Sequence, residues 1–199
     1  MTTNNTVNVG LSGQTGSGSF VGSTSPSLTT PTLGAATGTS LTFSPTTGGI
    51  VGTTTNDNAG AGKVGEYISS VIVSGSAVSM TTLTDKTITS ISLTAGDWDV
   101  WGEVYISGNG VTEVYQIVGA ISTVDNTIPT VPADGASFQN ISSTAGNNWT
   151  IGGSGVPSLS LSPCRVSLNA TTTIYLVASY AFLVSTLDGF GKICARRVR

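Results

Sequence analysis

Three carboxylates stand close together in this chain: Asp97, Asp99 and Glu103, within Asp97-Trp98-Asp99-Val100-Trp101-Gly102-Glu103. On an extended strand, residues two apart face the same side, about 6–7 Å from each other. That is near the spacing of the paired carboxyls that cleave glycosidic bonds, and the same oxygens suit a weak calcium site. The plainer reading is a solvated strand face, and the rest of the chemical inventory favours it. The sequence contains no histidine, so the commonest general base and transition-metal ligand is missing. Ser-His-Asp and Cys-His catalysis cannot be assembled within one chain, and no Gly-rich phosphate loop ending in Lys-Ser/Thr is present. The expectation is a non-enzymatic protein with no cofactor and no bound metal.

Three other groups of residues have chemical potential. Lys192, Arg196, Arg197 and Arg199 concentrate positive charge near the end of the sequence. No aromatic platform accompanies them, which argues against nucleic acid. Pairing with carboxylates of a neighbouring subunit is the preferred role for Arg196 and Arg197, ahead of binding an anionic glycan. Trp149 lies in an irregular stretch, where it could stack on a sugar ring of a receptor or plug one end of the fold. Cys164 and Cys194 do not make a disulfide framework. They read as buried thiols in strands, with a bridge between adjacent strands as the alternative. Asn140-Ile141-Ser142 and Asn148-Trp149-Thr150 match the glycosylation pattern and are read as chance.

The elements that position these residues follow from composition. Only 9% of the 199 residues are charged, against roughly 25% in a typical soluble protein. The first charged side chain is Asp57, so all 7 basic and 10 acidic residues lie from there onward. Thr, Val and Ile favour pleated surfaces, and helix-building Glu and Lys are scarce, so the chain reads as all-β. A net charge of −3 offers no general nucleic-acid footprint. Mean hydropathy is +0.24, yet no apolar run approaches the ~18–20 residues that span a bilayer. The opening Met1-Thr2-Thr3-Asn4-Asn5 shows no secretory signal pattern. An apolar-leaning chain of this kind is expected to bury surface between identical subunits.

The chain divides into residues 1–62, an extended uncharged anchor or shaft, and residues 63–199, an antiparallel β-sandwich head. Before Asp57, small apolar groups recur between glycines and prolines. Val7-Asn8-Val9-Gly10-Leu11 alternates as a half-buried strand does, and Phe20-Val21 follows. Val7, Val9, Leu11, Phe20 and Val21 are the expected anchoring residues. The lack of charge suits copies packed around a shared axis, where like charges would be poorly solvated. From residue 64, strands are expected near 64–73, 77–83, 87–93, 97–107, 111–123, 157–168, 171–184 and 189–198, about the number in a jelly roll. Trp98, Val100, Val104 and Ile106 form a core face; Asp97, Asp99, Trp101, Glu103 and Tyr105 form a wetter one. The stretch 171–184 is apolar on both faces, so both should be covered. One would meet the core, and the other, carrying Tyr175, Val177 and Leu183, a partner subunit. Residues 124–156 read as a long irregular connection with functional potential.

Several segments resemble a known family. Ser25-Pro26-Ser27-Leu28-Thr29-Thr30-Pro31-Thr32-Leu33-Gly34 and Gly38-Thr39-Ser40-Leu41-Thr42-Phe43 resemble N-terminal repeats of tailed-bacteriophage tail fibres. Ile91-Ser92-Leu93-Thr94-Ala95-Gly96-Asp97-Trp98-Asp99-Val100 is similar to a strand-turn-strand of phage fibre heads. Gly191-Lys192-Ile193-Cys194-Ala195-Arg196-Arg197-Val198-Arg199 resembles their Ala-Arg-Arg endings. Such heads resemble trimeric jelly rolls of the tumour-necrosis-factor and C1q type. The resemblance implies a homotrimeric virion protein, assembled in the host cytoplasm. Its N-terminal segment would dock on other virion proteins, and its head would touch a host-surface glycan or protein. A capsid head fibre or decoration protein is the rival expectation, and a glycan depolymerase a more distant one.

Overall fold

The computed structural model describes residues 52, 54–130, 136–143, 148–151, 157–183 and 185–199. Val7, Val9, Leu11, Phe20 and Val21, expected to anchor the chain, lie outside them. A compact unit spans Thr53–Arg199. Among the described residues it contains β1 (Tyr67–Ile72), a 3-10 turn at Ser74–Ser76, β2 (Val78–Ser79), β3 (Lys86–Leu93), β4 (Gly96–Gly108) and β5 (Thr112–Ser122). They are followed by β6 (Ser137–Ser142), β7 (Trp149–Ile151), β8 (Ser158–Leu168), β9 (Thr172–Leu183) and β10 (Leu187–Arg197).

The strands form two antiparallel sheets. One runs β1-β10-β4-β8, with β2 also on β10; the other runs β3-β9-β5-β6, with β7 also on β5. The pairings are nested: β1 with β10, β3 with β9, β4 with β8, β5 with β6. A long antiparallel ribbon folded over on itself gives this pattern, and the links from β3 to β4, β4 to β5, β8 to β9 and β9 to β10 pass from one sheet to the other. The protein is an all-β jelly-roll sandwich.

The core follows from alternation. On β4, Trp98, Val100, Val104 and Ile106 are buried between the sheets, as their period of two requires. They meet Leu93, Ile121, Ile174, Leu176, Tyr180, Leu187 and Ile193. Each such side chain contributes about 1.5–3 kcal/mol on burial.

Three expectations change. The strand near 77–83 shrinks to Val78–Ser79, because Thr84 donates to the Thr81 carbonyl in a turn and Leu83 takes φ 56°. The stretch 124–156 is not wholly irregular: β6 and β7 both pair with β5. Val177, expected against a partner subunit, is buried within the chain. It lies on the central strand β9, opposite Thr87 of β3 and Ala120 of β5, and Ala120, Val118 and Ala181 on that face are buried with it.

Candidate functional site

β4 and β10 are register partners over eleven residues, and together they hold most of the candidate chemistry. Their outward-facing pairs are Phe190 with Tyr105, Lys192 with Glu103, Cys194 with Trp101 and Arg196 with Asp99. The inward set of β10 includes Ile193, Ala195 and Arg197. The basic cluster is therefore split: Lys192 and Arg196 are exposed, and Arg197 is buried.

Arg197 is held inside the chain, which corrects its expected intersubunit role. Its Nε donates to Glu66 Oε2 at 2.9 Å, its Nη1 to the Ala95 carbonyl at 2.8 Å, and its Nη2 to Thr94 Oγ1. The guanidinium carbon lies 4.2 Å from the centre of the Trp98 ring, close enough for a cation–π attraction. Trp98 Nε1 donates to the Thr94 carbonyl at 2.9 Å. Gly96 makes room for this clamp: it takes φ +134°, and a Cβ there would fall 2.1 Å from Arg197 Nη1. Glu66 also accepts from the Gly62 amide at 2.9 Å. The Arg197 guanidinium and that amide hold the Glu66 carboxyl below its ordinary value.

The carboxylate trio separates in the same way. Asp97 is buried, with Arg165 Nη2 at 3.0 Å on Oδ1 and Arg199 Nη2 on Oδ2. Its backbone accepts from Val198 at 2.9 Å. The Ser167 hydroxyl and the Arg165 guanidinium hold its carboxyl below the ordinary aspartate value, the direction opposite to that needed for a general acid near neutral pH. Glu103 is half-buried beside the Tyr105 hydroxyl, whose pKa it raises. Asp99 is exposed. Among the described residues, no three His, Cys, Asp or Glu side chains are grouped to hold a metal ion.

Four aromatic side chains of this sheet form two ring pairs on its outer face. Tyr67 and Trp101 have ring centroids 6.1 Å apart, and Tyr105 stacks on Phe190 at 5.3 Å. Tyr67 Oη donates to Cys194 Sγ at 3.0 Å, and its backbone amide donates to Asn58 Oδ1 at 2.9 Å. A shallow pocket of about 280 Å³ is lined by Asp99, Trp101, Pro163 and Arg196.

No family model and no curated protein matches the chain. It is similar to a solved structure of the infectious bursal disease virus Gx strain, with 8% identity and a TM-score of 0.40, over 75% of this chain and 36% of that one. It is also similar to the infectious bursal disease virus VP2 subviral particle, with 15% identity and a TM-score of 0.36, over 66% of this chain and 30% of that one. The chain thus spans about a third of the length of each.

The remaining expected site residues are scattered. Trp149 is on β7 rather than in an irregular loop; it pairs with Val114 and lines a pocket of about 300 Å³ with Ile117, Ile141 and Pro157. It is 36% exposed, so it does not plug the sandwich. Tyr175 is half-buried and Leu183 is 52% exposed at the end of β9. Cys164 and Cys194 are free. They sit on β8 and β10, the two strands flanking β4, so they are not adjacent-strand partners. Cys164 packs toward the core, and its thiol is pushed up to about 11 by burial. Sequence reasoning missed the clamp, although the alternation Ile193, Ala195, Arg197 was a signal that Arg197 points inward.

Proposed function

We propose that this chain is a structural, non-enzymatic virion protein of a tailed bacteriophage, a tail-fibre or receptor-binding protein. Its jelly-roll head meets the host surface, and the uncharged segment before Asp57 docks on other virion proteins. The observation that carries this reading is the division of the polar residues. Asp97 and Arg197 are occupied by partners within the chain, while Asp99, Lys192 and Arg196 stand exposed beside surface aromatics. Such a face suits recognition, and weak contacts of this kind become effective when several heads act together. The fibre-like segments quoted above and the charge-free opening support a virion role. Exposed Leu183 and half-buried Tyr175 remain available for contacts in the homotrimer we assign to it.

The test is placement on the intact particle. Gold-labelled antibody against residues 63–199 is expected at the tail, and purified full-length protein is expected to block adsorption of the particle to its host. Label spread over the capsid, with adsorption unaffected, would replace this reading with that of a head fibre or decoration protein.

A further inference from the structure

The pocket around Trp101 has features that the general reading of the head does not use. It lies at an irregularity in the sheet. β4 pairs with β8 as Val100 with Cys164 and then as Gly102 with Leu161. Two residues of β8, Ser162 and Pro163, therefore oppose the single residue Trp101. This is a β-bulge, a device that re-aims side chains and is common beside functional sites. Proline is tolerated there because the extra residue owes no hydrogen bond to the ladder. The result is that Pro163 and Trp101 wall one pocket.

The Trp101 ring is braced from behind. Tyr67 lies against it, and Tyr67 is itself held at both ends, by Cys194 Sγ and by Asn58. A rigid aromatic anchor of this kind loses little freedom when it binds. At the rim stand Asp99 and Arg196, cross-strand partners in register. Neither side chain makes a hydrogen bond or an ion pair among the described residues, in contrast to those of Asp97, Glu66 and Arg197 nearby. An unengaged carboxylate offers only acceptors, and an unengaged guanidinium only a planar fork of donors.

We propose that Trp101, Pro163, Asp99 and Arg196 form a subsite for one neutral pyranose ring of a host-surface saccharide. The apolar C–H face of the sugar lies on the Trp101 indole. Asp99 accepts from one ring hydroxyl, and Arg196 donates to the oxygen of its neighbour. The opposite charges at the rim cancel, which favours a neutral sugar over an anionic one. The volume of about 280 Å³ is near the lower end of the roughly 300–1,000 Å³ usual for ligand pockets, in keeping with a single ring. This assignment rests on the reading of the head as a host-surface binder and names the ligand class of its outer sheet face.

Saturation-transfer difference NMR on the full-length protein tests it, with methyl α-D-glucopyranoside, methyl α-D-galactopyranoside and methyl α-D-mannopyranoside as probes. At least one glycoside is expected to receive saturation at its ring C–H protons. Trp101→Ala should abolish the transfer, and Asp99→Asn and Arg196→Gln should each weaken binding by about tenfold, the loss of one charge-assisted hydrogen bond. Absence of transfer from all three glycosides, or transfer that persists in Asp99→Asn and Arg196→Gln, overturns the assignment even if Trp101→Ala fails to fold. Protein that blocks adsorption equally well as wild type and as Arg196→Gln would leave the virion reading standing and remove this subsite. Glycoside binding by a protein located on the capsid, without any effect on adsorption, would do the reverse.

Discussion

Replacing Arg197 with Met should destabilise the head far more than any change at Arg196, although the two residues are adjacent. Arg197 is 4% exposed, and its guanidinium is shared among Glu66, Ala95, Thr94 and the Trp98 face. Methionine keeps the stem but leaves the Glu66 carboxylate buried without its cation. Removing one partner of a buried ion pair costs about 3–5 kcal/mol. This is a large share of a total stability of roughly 5–15 kcal/mol. At about 2–4 °C per kcal/mol for a domain of this size, the melting temperature should fall by about 6–20 °C. Glu66→Leu combined with Arg197→Met should recover most of the loss, because an apolar pair of similar volume needs no counter-charge. Arg196→Ala, at an exposed residue with no ion pair among the described residues, should stay within about 0.5 kcal/mol of wild type.

The pH dependence supplies an independent check on the same clamp. The folded Glu66 carboxyl lies below its ordinary value of 4.5, so the unfolded chain binds a proton more readily than the folded one. The contribution of the pair is then complete above about pH 4.5 and is lost as pH falls through the lower folded value. Thermal melts monitored by circular dichroism between pH 3 and pH 7 should show this acid loss in wild type and a smaller one in the double variant. An Arg197→Met protein that melts within about 1 °C of wild type would refute the argument, and so would a double variant no more stable than Arg197→Met alone.

Other outcomes follow from single positions. Tyr180 is fully buried and its hydroxyl has no hydrogen-bond partner among the described residues, so Tyr180→Phe should raise stability in urea by up to about 1 kcal/mol; a loss of that size would show that the hydroxyl is satisfied in solution. Gly191→Ala would place a Cβ 2.2 Å from the Glu103 carbonyl oxygen, a backbone atom that cannot turn away, and should cost about 3 kcal/mol or more in the same assay. With Cys194 buried and the Cys164 thiol pushed up to about 11, both should react slowly with Ellman's reagent at pH 8 and rapidly once unfolded, with no disulfide in the intact mass.

Much of the sandwich was legible in the sequence because its central strands carry a strong period of two. Alternation through Trp98, Val100, Val104 and Ile106 placed the core face of β4, and the doubly apolar β9 was recognisable as covered on both sides. The edges were not legible. β6 reads Ser137-Phe138-Gln139-Asn140-Ile141-Ser142, half-buried and then exposed, and it joins β5 through backbone pairing that imposes no pattern on side chains. Cover was also misassigned: the second face of β9 was given to a partner subunit, whereas Val177 finds it within the chain. Periodicity says that a face is buried but cannot name what buries it.

The charged residues show the same limit from the side of chemistry. Asp97 and Asp99 are identical in type, two residues apart on one strand and directed to the same side, so no local pattern distinguishes them. What separates them is the path of the chain after β10. Val198 and Arg199 return to the start of β4, where the backbone of Val198 binds the Asp97 carbonyl and the side chain of Arg199 joins Arg165 on its carboxylate. Asp99, one step further along, escapes that enclosure and faces Arg196 in the open. The distinction runs in parallel on β10, where Arg197 turns inward to Glu66 and Arg196 outward. With only 17 charged side chains in 199 residues, the protein uses near neighbours of each sign for opposite ends: Asp97 and Arg197 tie together strand ends of one sheet and the β3–β4 link, and Asp99 and Arg196 stand exposed on its outer face. A single-residue slip of β10 against β4 would exchange the two roles, burying Arg196 and exposing Arg197. The clamp therefore also fixes the register that keeps Asp99 and Arg196 beside Trp101, and loss of the clamp should reduce binding at the open face as well as stability.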